Sequence, residues 1–356
     1  MSNFSFQQIS QYDHEQLVFC QDQNTGLKAI IGIHNTTLGP GLGGTRFYNY
    51  ANDDDAIKDV LRLSRGMTYK AAISGLNLGG AKAVIIGDPQ KLGGEAFFRK
   101  FGQFIRNLNG KYITAEDVGT TTKDMEYIKM ETDSVVGLPE IRGGGGDPSP
   151  VTAYGTYLGM KAAAKKTYGT DNLSGKKVLV EGVGKVGTYL VELLSKENAT
   201  IYASDVHQES LKNVANQYGA KVVEIDDKFK LDLDVYAPCA LGATLNDDSI
   251  PKLKCKIVAG AANNQLEDEV THGNALKQAG ILYAPDYLIN AGGLINVYTE
   301  YTGYNKEIAM ANAEKIYDVT TAIFDKATEE NITTAMAANK MAEERIQKIG
   351  HTKLTY

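Results

Sequence analysis

The chain has 356 residues, of which 43% are hydrophobic and 22% charged, and its 37 Lys and Arg against 43 Asp and Glu give a formal net charge of −6. That length exceeds one ordinary core and fits two domains, and the composition is that of a soluble globular protein. The mild negative charge and the lack of a basic run exclude a nucleic-acid footprint, and no stretch reaches the ~18 apolar residues of a membrane span.

Asp13 and Glu15 interrupt the N-terminus, which therefore does not read as a signal peptide. Cys20, Cys239 and Cys255 are odd in number and lack CxxC spacing, as expected of free thiols in a reducing cytoplasm. Neither HExxH nor any Cys or His–carboxylate cluster suggests a metal.

In chain order, 17–20 reads as a short strand, 22–26 as a turn and 27–34 as the returning strand. The glycine-rich run Gly39-Pro40-Gly41-Leu42-Gly43-Gly44-Thr45-Arg46 follows. Asn52 or Asp53 then caps a helix with Ile57, Val60, Leu61, Ser64, Met67 and Ala71 on one face and Lys70 near its end. A strand over 82–86, a helix over 95–108 and strands over 112–115 and 134–138 complete an α/β first domain. Lys82 and Asp117 fall at strand edges or in adjoining loops, where catalytic groups are often displayed.

Gly143-Gly144-Gly145-Gly146-Asp147-Pro148-Ser149-Pro150 is the clearest boundary and reads as a hinge between domains over 1–142 and 147–329. Beyond a helix over 152–168, strands at 177–180, 200–203, around Val235 and at 257–259 alternate with helices. This βα alternation predicts a doubly wound parallel sheet, giving an α/β protein of two domains separated by a cleft. The tail over 306–349 reads as helical, with Ile308, Ala311, Ile316, Val319 and Ile323 on the apolar side, and 330–356 is expected to pack back on the first domain.

The motif Gly182-Val183-Gly184-Lys185-Val186-Gly187 sits between a strand and a helix, and Asp205 follows the next strand. Gly182 permits the tight turn, Gly184 lets a pyrophosphate approach the main chain, and Gly187 lets helix and strand pack closely. The helix N-terminus offers free N–H donors to the phosphates. Asp205 would accept from the adenosine ribose hydroxyls and repel a 2′-phosphate, which favours NAD over NADP. Ala237-Pro238-Cys239-Ala240 and Gly260-Ala261-Ala262-Asn263-Asn264 follow later strands, where the rest of the nucleotide should lie; a polar turn is the alternative.

Lys70 and Lys82, the latter in Gly79-Gly80-Ala81-Lys82, can divide the work at one site. A charged lysine holds a carboxylate, while a desolvated one repelled by its neighbour gives up its proton. The segments 39–46, 66–70, 76–82, 114–120 and 290–293 closely resemble the Glu/Leu/Phe/Val amino-acid dehydrogenase family. The resemblance implies reversible oxidative deamination of a small L-amino acid with NAD, giving a 2-oxo acid and ammonium. It places the substrate carboxylate on Lys70, the catalytic amine on Lys82 and a proton relay on Asp117.

It further implies a side-chain pocket of Leu42, Ala115, Leu294 and Val297, with Gly43 and Asn264 also at the substrate. Ser149, Thr152, Ala240, Asn263 and Asn290 join the coenzyme set. An all-apolar pocket leaves a glutamate side chain unpaired and favours branched-chain substrates such as leucine. Leu294 keeps a phenylalanine-acting member as the alternative, and a catalytically silent NAD-binding protein is the reading from another class. The resemblance also implies a homo-oligomer, often an octamer.

Overall fold

The computed structural model describes residues 6–353. The chain forms two compact units: one takes the chain up to Gly146, 297–305 and the part from Ala342 onward, and the other takes 147–296 and 306–341. The boundary after Gly146 falls at the glycine-rich segment, but 297–305 belongs with the first unit rather than the second. The last helix is divided at Met341, so only its second half lies with the first unit.

In the first unit α1 (Phe6–Gln11) precedes the hairpin of β1 (Gln16–Asp22) and β2 (Leu27–Asn35). The glycine-rich run contains two short strands that the sequence reading took as loop, β3 (Gly41–Leu42) and β4 (Thr45–Tyr48). After α2 (Asp53–Ile73), the strand β5 (Gly79–Ile86) lies antiparallel to β2 and parallel to both β3 and β4. Beyond α3 (Glu95–Arg106), β6 (Tyr112–Ile113) extends the sheet beside β3, and α4 (Thr122–Lys129) follows.

Alternation along β5 sorts its side chains between two layers. Ala81, Ala83 and Ile85 join Ile31, Ile33 and the α3 residues Phe97, Phe98 and Phe101 in one core. Val84 points the other way and joins Ile30, Ile57, Val60 and Leu61 under α2. Each large apolar side chain so buried contributes about 1.5–3 kcal/mol. The Asn52 side chain caps α2 by accepting from the Asp55 N–H, and three Asp in the first turn oppose the helix dipole.

The expected strand over 134–138 is reduced to a single bridge between Val135 and Thr114. The N–H groups of Gly137 and Leu138 donate instead to the Glu300 carboxylate, both at 3.1 Å, so no strand ladder is available to them.

The second unit opens with α5 (Ser149–Tyr168), then β7 (Lys177–Glu181), α6 (Lys185–Lys196), β8 (Thr200–Ser204), α7 (Gln208–Tyr218) and β9 (Lys221–Val222). Strands β10 (Val235–Pro238) and β11 (Ile257–Val258) follow, then α8 (Glu269–Gln278), β12 (Leu282–Tyr283) and α9 (Asp286–Ile289). All six strands are parallel, in the order β12-β11-β10-β7-β8-β9. Counted within the unit this is 3-2-1-4-5-6, the doubly wound dinucleotide-binding order, with its switch point between β7 and β10.

Helix α10 (Gly292–Tyr301) leads out of this unit; α11 (Lys306–Glu329) and α12 (Thr334–Lys353) form the tail. Of the apolar stripe expected in α11, Ile316 and Ile323 are buried, while Ala311 is exposed and Val319 half-buried. Ala309, Ala313, Ile316, Thr320, Ile323 and Phe324 are buried, whereas Ile308 is 53% exposed. The break between α11 and α12 falls where Asn331 takes a left-handed conformation, φ 54°, next to the expected start of the last segment at 330. Among the described residues no helix is long and apolar enough to cross a membrane.

Candidate active site

The sheet of the first unit is cleared of side chains where α2 crosses it. A Cβ on Gly80 would lie 2.1 Å from the Thr68 nitrogen, so only glycine lets helix and strand approach this closely. Lys82 is two residues beyond Gly80 and therefore shares its face of β5, while Lys70 is two residues beyond Thr68 in the last turn of α2. Lys82 thus faces α2, the helix whose last turn carries Lys70. Lys82 is buried, at 7% exposure, and Lys70 is half-buried.

The Lys82 ammonium forms a close ion pair with Asp117 Oδ2. Asp117 sits in the loop after β6, in a turn locked by Thr120. The Asp117 N–H donates to Thr120 Oγ1 at 2.9 Å, and that hydroxyl donates to the Thr45 carbonyl at 2.9 Å. Asp117 Oδ1 accepts from the Val118 N–H at 2.8 Å. Burial raises the pKa of this carboxyl, but Lys82, with Arg46 and the Val118 N–H, outweighs burial and holds it below the ordinary Asp value. The charged neighbour given to Lys82 is therefore a carboxylate, where the sequence reading relied on repulsion from Lys70.

The strand interruption Gly43-Gly44 borders this pair. A Cβ on Gly44 would approach the Glu116 carbonyl oxygen to 2.3 Å and Asp117 Cβ to 3.0 Å. Gly43 N–H donates to the Ile113 carbonyl at 3.1 Å, and Thr45 N–H to that of Ala115 at 2.9 Å. Leu42, Gly43 and Ala115 thus lie on adjoining strand segments, with Leu42 and Ala115 buried. Of the other two candidate pocket residues, Leu294 is buried and Val297 half-buried, three residues apart on α10.

In the second unit the glycine motif turns from β7 into α6. Gly182 takes φ 98°, and its N–H donates to the Ser204 carbonyl at 2.7 Å. A Cβ on Gly187 would lie 1.9 Å from the Gly182 oxygen, and one on Gly182 2.6 Å from Ala240 Cβ. Around Gly184, in contrast, a Cβ would meet nothing within 4 Å. Gly184 is also the α6 N-cap and supplies no side-chain cap, so the first helical N–H groups face open space with Lys185 and Val186 at their head. Asp205 closes the loop, accepting from Val183 N–H at 2.7 Å and His207 N–H at 2.8 Å.

These features fit a dinucleotide: an uncapped helix start, room above Gly184, and a carboxylate beside the second strand. Asn290 Nδ2 donates to the Asn263 side chain at 2.8 Å and to the Ala261 carbonyl at 3.1 Å, which joins two candidate coenzyme residues. Asn264 is exposed, at φ 52°. Ser149 begins α5, and Thr152 one turn on packs against the Gly292-Gly293 start of α10.

Three residues escaped the sequence reading. Glu300 accepts from Gly137, Leu138 and Gly145 N–H groups, the last at 3.0 Å, tying down both sides of the loop before the glycine-rich segment. Arg345 donates to the carbonyls of Ala72, Gly75 and Leu76 and to Asn77 Oδ1, satisfying the C-terminus of α2. Neither carries a local sequence signal, since the partners are remote in the chain. Arg46 did carry one, as the lone charge ending a glycine run.

Comparison with known proteins agrees with this geometry. Residues 14–134 match the family model described as Glu/Leu/Phe/Val dehydrogenase, dimerisation domain, and 143–207 and 202–353 match Glutamate/Leucine/Phenylalanine/Valine dehydrogenase. The chain is 53% identical to leucine dehydrogenase of Bacillus cereus over 99% of its length and 96% of the relative's. It is 48% identical to phenylalanine dehydrogenase of Lysinibacillus sphaericus, over 96% and 90%. The crystal structure of L-tryptophan dehydrogenase from Nostoc punctiforme superposes with TM-score 0.88 at 45% identity, over 97% of this chain and 99% of that one. The chain belongs to the Glu/Leu/Phe/Val dehydrogenase family.

Proposed function

We propose that the protein catalyses the NAD-dependent, reversible oxidative deamination of L-leucine and other branched-chain L-amino acids. The observation that carries the chemistry is the ion pair of buried Lys82, on a glycine-cleared sheet face, with half-buried Asp117. The net reaction converts amino acid, NAD+ and water into 2-oxo acid, ammonium, NADH and a proton.

Bound NAD+ supplies the acceptor for the hydride that leaves the substrate Cα. The 182–187 loop, the α6 N-terminus and Asp205 would hold it, with Ser149, Thr152, Ala240, Asn263 and Asn290 completing its surroundings. Lys70 binds the substrate carboxylate as an ammonium. Lys82, as the free amine, takes a proton from the water whose oxygen bonds to Cα of the imino acid. Asp117 relays that proton from Lys82 to the carbinolamine nitrogen; Lys82 then takes the hydroxyl proton as the C–N bond breaks and C=O forms, and the departing ammonia takes it up and leaves as ammonium. Proton transfer by such positioned groups contributes 10²–10⁴-fold, by the usual order of magnitude.

The family resemblance assigns Leu42, Ala115, Leu294 and Val297 to the substrate side chain, and Gly43 and Asn264 to the substrate. Leucine is favoured over phenylalanine because of the greater identity to leucine dehydrogenase. We place the enzyme in the cytoplasm as a homo-oligomer, an octamer by analogy. The test is kcat/KM across a panel of L-amino acids with NAD+ and NADP+. Leucine with NAD+ should rank with valine and isoleucine at the top. A clear preference for phenylalanine would move the substrate assignment, and NADH binding without turnover on any amino acid would favour a silent NAD-binding protein.

A further inference from the structure

We propose that Arg46 is a positioning residue for the proton transfers: it shares the Asp117 carboxylate with Lys82 and keeps it ionised, so that an amine can act as a base beside it. The inference rests on the roles assigned above to Lys82 and Asp117. Arg46 lies on β4 opposite Val84, and Val84 shares a face of β5 with Lys82. Its Nε is 3.6 Å from Asp117 Oδ2, the same oxygen that Lys82 meets, and its Nη1 is 2.9 Å from Asp59 Oδ2 on α2. Tyr50 donates to that same Asp59 oxygen at 2.7 Å, and Arg62 Nη2 lies 3.2 Å from the other. The guanidinium is thus suspended between two carboxylates, one catalytic and one structural.

An ammonium facing a lone carboxylate holds its proton, because the neighbouring charge favours the ionised form. A guanidinium is permanently charged and cannot exchange its proton for that of Lys82. Burial works against the Arg46 charge, but Asp117 and Asp59 outweigh it and push its pKa up. With Arg46 present, Asp117 retains a cation when Lys82 becomes neutral. The other groups facing the pair are Tyr50 and Tyr112, both pushed up chiefly by burial and so neutral in the assay range, and Glu116, which is bonded to the Thr122 hydroxyl. Asp59 competes with Asp117 for the same guanidinium, so the two carboxylates should act in opposite senses.

The experiment compares kcat/KM for L-leucine with NAD+ against pH in the wild type, Arg46→Gln, Arg46→Lys and Asp59→Asn. In parallel, the pH dependence of Lys82 acetylation by acetic anhydride is read by mass spectrometry without substrate. Arg46→Gln should move the acidic limb and the acetylation midpoint up by roughly one pH unit. Arg46→Lys should restore most of that shift, and Asp59→Asn should move both readings down. A limb and midpoint that stay in place in Arg46→Gln while kcat falls, or the same shift in Arg46→Gln and Arg46→Lys, would overturn the proposal. If Arg46→Gln does not fold by circular dichroism, the Asp59→Asn direction decides. If no form turns over leucine, the functional reading fails, and the acetylation midpoints still decide the role of Arg46.

Discussion

At the scale of single residues, the candidate chemistry depends on charges removed from water and given few partners. Lys82 and Asp117 form one such pair, and Asp205 is its counterpart in the second unit. Both oxygens of Asp205 already accept backbone N–H bonds from Val183 and His207, so it shapes the glycine loop in addition to the ribose contact proposed for it. Charge-assisted bonds of this kind contribute about 1.5–3 kcal/mol each. Asp205→Ala should therefore weaken NADH binding by roughly 10- to 100-fold and narrow the preference for NAD+ over NADP+. Titration of NADH fluorescence against each variant measures this; unchanged affinity for both coenzymes would place the adenosine ribose elsewhere.

At the scale of elements, α2 carries Lys70 and covers the face of β5 that carries Lys82. It rests on the sheet through Thr68 against Gly80, and its C-terminus is closed by Arg345 from the second half of α12. Tyr69 in the same turn donates to Glu343, also on α12. Arg345→Met leaves those carbonyls without their donor, which costs about 1–3 kcal/mol for buried acceptors. It should lower the urea midpoint and raise KM for leucine more than it lowers kcat, because Lys70 lies in the affected turn. A lost midpoint with unchanged KM would make α12 a structural brace alone.

Much of this was legible in the residues. The α2 cap at Asn52, the βα alternation and the strand–glycine–helix motif are local patterns, and the structure bears each out. The missed features are long-range. The 134–138 segment looks like a strand until Glu300, more than 160 residues on, captures its donors. In α11 Ile316 and Ile323 are buried as expected, but Ala309, Ala313 and Thr320 complete the stripe in place of Ile308, Ala311 and Val319, because hydropathy marks alanine and threonine weakly. The register of β3 and β4 along β5, which puts Gly43 and Gly44 beside the Lys82–Asp117 pair, depends on pairing across the sheet.

At the scale of the whole molecule, acid stability has an identifiable origin in the first unit. His14 and His34 are buried with ring centroids 4.8 Å apart; His14 Nε2 bonds Ser64 Oγ at 2.7 Å and His34 Nδ1 bonds Thr68 Oγ1 at 2.8 Å. Burial first, then the neighbouring charges of His34 and Arg65 respectively, lowers each from 6.5 to about 4. The folded state keeps both neutral while the unfolded chain protonates them below about 6.5, so stability present at pH 7 is lost as pH falls toward 4. The urea midpoint should drop between pH 7.5 and pH 5, and His34→Asn should flatten that slope. Equal midpoints at the two pH values would contradict the assignment. Turnover is the other property of the whole molecule, and it gives the most direct test of the account, through the amine at position 82. Lys82→Cys should abolish leucine-dependent NADH formation while NADH still binds. Alkylation of that thiol with 2-bromoethylamine, with Cys20, Cys239 and Cys255 controlled by the unsubstituted protein, restores a less basic amine at the same place. The account predicts that activity returns with its acidic limb at lower pH than in the wild type. Full activity in Lys82→Cys, or restored activity with the limb unmoved, would contradict it.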